Sequence, residues 1–204
     1  MTAFAVAAYH SAYLPLAGST VEAIVWVRAS AVDEPAVEVS LLVWMPLDAT
    51  LITLREVSPA TRDLRQAAIR VDDRTLEFPT APWRGGARAY ELAVAVAPRN
   101  IDDHLLAARV AVCAGGTLAG RALIAVTWTD DERLIAASTV NAVECARTAG
   151  VAATDLPTGR SHWPRPPVAA PSAGEPCPGC GARPQEGDRF CEACGHELAC
   201  GPAR

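Results

Sequence analysis

The stretch TVEAIVWVRA, residues Thr20–Ala29, alternates strictly. Val21, Ala23, Val25 and Val27 point one way and Glu22, Ile24, Trp26 and Arg28 the other, the two-residue period of a strand with one face buried. VEVSLLVWM repeats the pattern through Val37, Val39, Leu41 and Val43. AYELAVAV does so through Tyr90, Leu92, Val94 and Val96, and LAARVAV through Leu106, Ala108, Val110 and Val112. FAVAAYH near the start, TLITLREV from Thr50, TLEF from Thr75 and LAGRALIAVTW ending at Trp128 complete the set. About eight or nine short strands, punctuated by Pro, Gly and Asp and without helices between them, predict a mainly β chain built on an antiparallel β-sandwich. A doubly wound parallel sheet would need helical segments that are missing here.

One helix follows. In TDDERLIAASTVNAVECARTAG, Thr129 and Glu132 stand in capping-box spacing, and Asp130 and Asp131 complement the positive helix terminus. Gly150 supplies a stop. The acidic triplet therefore has a structural reason and needs no metal or catalytic role. Composition then changes: DLPTGRSHWPRPPVAAPSAGEP holds six prolines and no hydrophobic period, the mark of an extended linker. Trp163 within it reads as an incidental aromatic, with a polyproline-type docking element as the other possibility. The expected organisation is a sandwich over 1–129, a helix over 130–150, a Pro-rich linker over 151–175 and a small C-terminal zinc ribbon over 176–200.

The ribbon is read from CPGCGARPQEGDRFCEACG, in which Cys177, Cys180, Cys191 and Cys194 form two Cys-x-x-Cys knuckles. Each knuckle offers two sulfurs from one tight turn, and four thiolates close a tetrahedron around Zn²⁺. Gly181 and Gly195 follow the second cysteine of each knuckle, where freedom from a β-carbon lets amides turn toward sulfur. Pro178 stiffens the first turn, and Phe190 is the expected cover of a module too small to build a core. Four soft thiolates favour Zn²⁺ over Mg²⁺ or Ca²⁺, with iron as the main competitor. A site closed by four cysteines leaves no position for a catalytic water, so this zinc is expected to be structural. His196 and Cys200 stand nearby as spare donors outside that set.

Composition bounds the rest. The chain has 204 residues, a net charge of −5 and 18 basic residues, all of them Arg. Without lysine, neither a GK[ST] phosphate loop nor a lysine Schiff base is possible. Within the ribbon, Arg183, Arg189 and Arg204 face Glu186, Asp188, Glu192 and Glu197. That balance lacks the basic footprint of a nucleic-acid module, which makes nucleic-acid or transcription-machinery binding the lesser alternative to protein contact.

No G-x-S-x-G, H-E-x-x-H or strand-borne G-x-G-x-x-G occurs. His104 beside Asp102 and Asp103 reads as an inter-strand turn, and Cys113 and Cys145 as small buried hydrophobes. No catalytic residue is assigned and no enzyme is expected. The N-terminus shows no signal-peptide pattern, and no run of about 18 apolar residues exists to span a membrane. An odd set of seven cysteines, four in metal spacing, fits a reducing cytoplasm.

Several phrases carry a family resemblance. YHSAYLPLAGSTVEAIVWV, VSPATRDL, EFPTAPW, AYELAVAV, LLAARVAV and AVTWTDDE, in this order, resemble the β-rich frame of actinobacterial von Willebrand factor type A domain proteins. In those relatives the A domain interrupts the frame after its first strands. Here only SAVDEP, Ser30–Pro35, stands at that place, and no Asp-x-Ser-x-Ser is present. The metal-dependent adhesion of an A domain is therefore not carried over. What the resemblance implies is a C-terminal ribbon on a β-frame in a Ser/Thr kinase and phosphatase signalling context. The expected function is that of a non-catalytic interaction or adaptor protein with protein partners.

Overall fold

The computed structural model describes residues 4–30, 36–151, 176–177, 180–183, 190–191, 193–196 and 198, leaving aside the side chains of 142, 143 and 145–151. Linker residues 152–175, with Trp163 among them, Pro178, Cys200 and the side chain of Cys145 lie outside these residues.

Strands β1 (Phe4–His10), β2 (Tyr13–Pro15), β3 (Thr20–Ala29), β4 (Val39–Trp44), β5 (Thr50–Ser58) and β6 (Arg62–Asp63) come first. They are followed by β7 (Ile69–Arg70), β8 (Thr75–Pro79), β9 (Gly86–Ala95), β10 (His104–Ala114) and β11 (Thr117–Thr129), and then by helix α1 (Glu132–Val151). One sheet has the order β1-β3-β9-β5-β6, the other β2-β11-β10-β4-β8-β7. Every pairing is antiparallel except the three-residue parallel contact of β2 with β11. The expected strands are all present. β2, β6 and β7, of two or three residues, are too short to show a period and were not legible.

The inner faces of the two sheets meet in one core. Val25, Val27, Leu54, Tyr90 and Leu92 of the first sheet share it with Leu41, Val43, Phe78, Val110, Val112, Ile124 and Trp128 of the second. Two large aromatics bury their rings without stranding a donor: Trp128 Nε1 donates to the Gly18 carbonyl at 3.0 Å and Trp83 Nε1 to that of Gly85 at 3.0 Å. Alternation assigned the inner face of β3 correctly, but Trp26 on its other face is also buried. It sits in a small outer cluster with Ala89, flanked by Tyr9, Ile24, Val57 and Ala87.

Two expectations are corrected. Strict alternation puts Leu106 on the inner face of β10 with Ala108. The register of β10 against β11 shifts between Leu106 and Ala108, so Ala107 is an extra residue. A bulge of this kind puts two successive residues on one side. Leu105, Ala107 and Ala108 consequently join the core, and Leu106 does not. The second correction concerns the helix start. Thr129 is held in the sheet by its pairing with Pro15, so the helix cannot begin there. Asp131 caps it instead, its Oδ1 accepting from the amides of Arg133 at 2.9 Å and Leu134 at 3.4 Å. The helix packs beside β1 and β2, where Ser138 Oγ accepts the Ala12 amide at 2.6 Å. No helix among the described residues is long and apolar enough to cross a membrane.

Candidate metal centre

Two backbone bonds recur in both knuckles. In the first, the amides of Cys180 and Gly181 donate to the Cys177 carbonyl at 3.3 and 2.7 Å, and the Cys177 amide donates to the carbonyl of Ala182 at 2.8 Å. In the second, the Gly195 amide donates to the Cys191 carbonyl at 2.8 Å and the Cys191 amide to the carbonyl of His196 at 2.8 Å. Gly181 and Gly195 take φ of 73° and 71°, the left-handed conformation that closes such a turn and that side chains disfavour.

The turns bring four sulfurs together. Cys177 Sγ lies 3.6 Å from Cys194 Sγ, and Cys180 Sγ lies 3.6 Å from Cys191 Sγ. All four lie within 4.8 Å of one another. Sulfurs about 2.3 Å from a common metal would be spaced roughly 3.8 Å apart in a regular tetrahedron, so the separations fit a metal ion. They are well beyond the roughly 2.05 Å of a disulfide, and the thiols are free. The four cysteines singled out in the sequence are therefore the four that converge and could hold a metal ion.

The thiols do not share one environment. Cys177 and Cys191 are buried, Cys194 is half-buried and Cys180 is exposed. Burial pushes the Cys191 and Cys194 thiols above the ordinary range. The Ala182 amide beside Cys180 draws that thiol down. The Ala193 amide donates to Cys191 Sγ at 3.3 Å. A bound cation would offset the burial cost of the thiolates, because a metal displaces the thiol protons outright.

Leu198, which the sequence did not single out, packs with buried Cys177 and Cys191 against Ala182, Ala193 and Cys194. Phe190, the expected cover, is half-buried and is not part of this cluster. A Leu four residues beyond a knuckle has no periodic neighbours to mark it.

The second knuckle rests on the sandwich. The Leu106 amide donates to the Gly195 carbonyl at 2.9 Å, and His196 forms an antiparallel bridge with Leu105. A β-carbon at Gly195 would lie 2.6 Å from the Leu106 carbonyl oxygen, whereas one at Gly181 would meet nothing within 4 Å. A cleft of about 560 Å³ runs beside this contact, with Leu47, Asp48 and Arg74 of the sandwich facing Cys180, Ala182 and Cys194.

The remaining candidates resolve into structure. Asp103 is in a turn, its amide donating to the Asn100 carbonyl at 3.2 Å and its Oδ2 accepting from the Asn100 amide at 3.0 Å. His104 Nδ1 stands 2.7 Å from Thr127 Oγ1 on the neighbouring strand. Asp102 and Asp103 thus lie in the turn expected, while His104 is already the first residue of β10. Cys113 is half-buried, not buried, because a second register shift falls beside it at the end of β10.

A polar group that no motif announced lies in the sandwich. The buried Glu56 is 3.8 Å from Arg88 Nε and 3.7 Å from Arg62 Nη2. Arg88 lies 4.3 Å over the Trp83 ring and donates to the carbonyls of Ala81 and Pro82, both at 2.9 Å.

No family model matches the chain, and no curated protein matches it. Among solved structures it is similar to a von Willebrand factor type A protein from Catenulispora acidiphila, at 32% identity and a TM-score of 0.47. It is also similar to the chitin-binding domain of a Pyrococcus furiosus chitinase, at 12% identity over 57% of this chain and 91% of that one, TM-score 0.36. A non-cellulosomal cohesin from Archaeoglobus fulgidus matches at 12% identity over 64% and 94%, TM-score 0.38. With such scores the architecture rests on the strand pairing described above. The match to the Catenulispora protein covers 50% of this chain and 25% of that one.

Proposed function

We propose that this chain is a non-catalytic interaction protein in which a structural zinc ion, held by Cys177, Cys180, Cys191 and Cys194, fixes a small ribbon against a β-sandwich. The observation that carries this reading is the convergence of four free sulfurs within 4.8 Å at the sandwich surface. Four soft thiolates favour Zn²⁺ over Mg²⁺ or Ca²⁺, and they fill every position of a tetrahedral ion. Such an ion organises a surface and leaves no place for a reacting water. The cleft with exposed Leu47 on one wall and the knuckles on the other gives a protein partner a contact that neither unit provides alone. A kinase and phosphatase signalling setting is the context that the sequence resemblance supports, and the cysteine pattern supports a reducing cytoplasm.

The test is quantitative affinity capture from a native-type lysate, comparing the chain with its Cys177→Ser/Cys191→Ser variant. A kinase or phosphatase enriched by the chain and lost from the variant is the expected result. Equal recovery by both would move recognition to the sandwich. Turnover of phosphoester or peptide substrates by the purified chain would overturn the non-catalytic reading.

A further inference from the structure

The ribbon occupies a particular gap in the second sheet. β10 is paired with β11 along its whole length, from His104 to Ala114. On its other side β4 covers only Arg109–Ala114, because β4 ends at Trp44, opposite Arg109. The five residues His104–Ala108 therefore extend past the end of β4, and among the described residues no strand of the sandwich pairs with them on that side. The second knuckle reaches this edge: Gly195 accepts the Leu106 amide and His196 bridges Leu105.

This contact is strand-like. It joins backbone to backbone, in antiparallel sense, and is so close that a β-carbon at Gly195 would strike the Leu106 carbonyl oxygen. The turn that gathers sulfur also aims the docking groups. Gly195 and His196 directly follow Cys194, with the Gly195 amide and His196 carbonyl both engaged by Cys191. Among the described residues its buried apolar cluster is small, formed by Cys177, Cys191 and Leu198. A core of that size does not fold without metal.

We propose that the His104–Ala108 edge of β10 is a strand-addition surface whose occupant is the second knuckle of this same chain, and that metal at the four cysteines decides whether it is occupied. This rests on the metal-site reading given above. With the metal bound, Gly195–His196 continues the sheet where β4 stops. Without it the knuckle loses its turn and the edge is released. A bare edge bearing Leu105, Leu106, Ala107 and Ala108 is of the kind that extended peptide segments extend.

Amide hydrogen exchange on the full chain tests this, with zinc bound and after removal by a high-affinity chelator, metal content being measured on the same samples. Chelation is expected to accelerate exchange at Leu106 by about 100-fold or more while Val110 and Val112 hold their rates. Gly195→Ala should show fast exchange at Leu106 with one metal ion still bound, and Gly181→Ala should keep Leu106 protected. Protection of Leu106 that survives metal removal, or that survives Gly195→Ala, would overturn the proposal. A chain that takes up no metal fails the metal-site reading itself, and the metal measurement identifies that case separately.

Discussion

The Leu106 amide donates to the Gly195 carbonyl at 2.9 Å, and a β-carbon on Gly195 would fall 2.6 Å from the Leu106 carbonyl oxygen. Gly181 occupies the equivalent place in the other knuckle with the same left-handed φ but open space around it. The two glycines therefore separate turn geometry from docking. Gly181→Ala should weaken zinc binding about tenfold, the equivalent of 1–2 kcal/mol of left-handed strain. Gly195→Ala carries the same strain plus a backbone clash and should weaken it by on the order of 100-fold. Competition against a zinc chelator measures both. Equal effects would mean that docking contributes nothing to metal affinity.

Zinc affinity should depend steeply on pH. Burial raises the Cys191 and Cys194 thiols, so at neutral pH the metal-free chain carries protons there that the metal must displace. Affinity then falls as pH falls, about tenfold per unit for each proton displaced and so about 100-fold for these two. Chelator competition between pH 6 and 8 reads the slope, and a flat profile contradicts the assignment of these thiols as ligands.

Arg88→Ala should cost about 3 kcal/mol in denaturant unfolding, because it leaves Glu56 buried beside a weakened cation partner. It also removes the stacking on Trp83. Loss below about 1 kcal/mol would show that Arg62 suffices alone.

Tyr90 behaves differently. Its hydroxyl is buried with no hydrogen-bond partner among the described residues. Burial and the nearby Glu56 carboxylate push its pKa up to about 12. A phenol raised in the folded state contributes stability below its ordinary value near 10 and loses it as pH rises toward 12. Tyr90→Phe should change stability by no more than about 1 kcal/mol at pH 7 and remove this alkaline loss. Unfolding curves at pH 7 and 11 check both.

Asp131→Ala should destabilise the helix by about 1 kcal/mol, whereas Asp131→Asn keeps the cap and is near neutral. Helical circular dichroism on heating distinguishes the two. An equal loss in both variants would place the effect in charge rather than in the cap.

Alternation was legible wherever one face of a strand is buried and the pairing is regular. Val21, Val25 and Val27 of β3 and Tyr90, Leu92 and Val94 of β9 all take their expected inward positions. The reading failed at Leu106 because a one-residue bulge reverses the alternation without changing residue types. It failed at Thr129 because the sheet competes with the helix for that residue, a contest between elements distant in sequence. Glu56, Arg62 and Arg88 form no motif, since three different segments supply them.

By itself the sequence determined the β class, the helix that follows β11 and the four cysteines of the metal centre, because alternation and Cys-x-x-Cys spacing are local and a few residues suffice to express them. Only the tertiary structure decided that β4 stops short of β10 and that Gly195 fills the gap. Strand lengths on different segments, and the absence of one β-carbon opposite Leu106, set that contact. It depends on backbones meeting across about ninety residues of chain, and backbone groups are the same in every residue, so composition and spacing carry no trace of it.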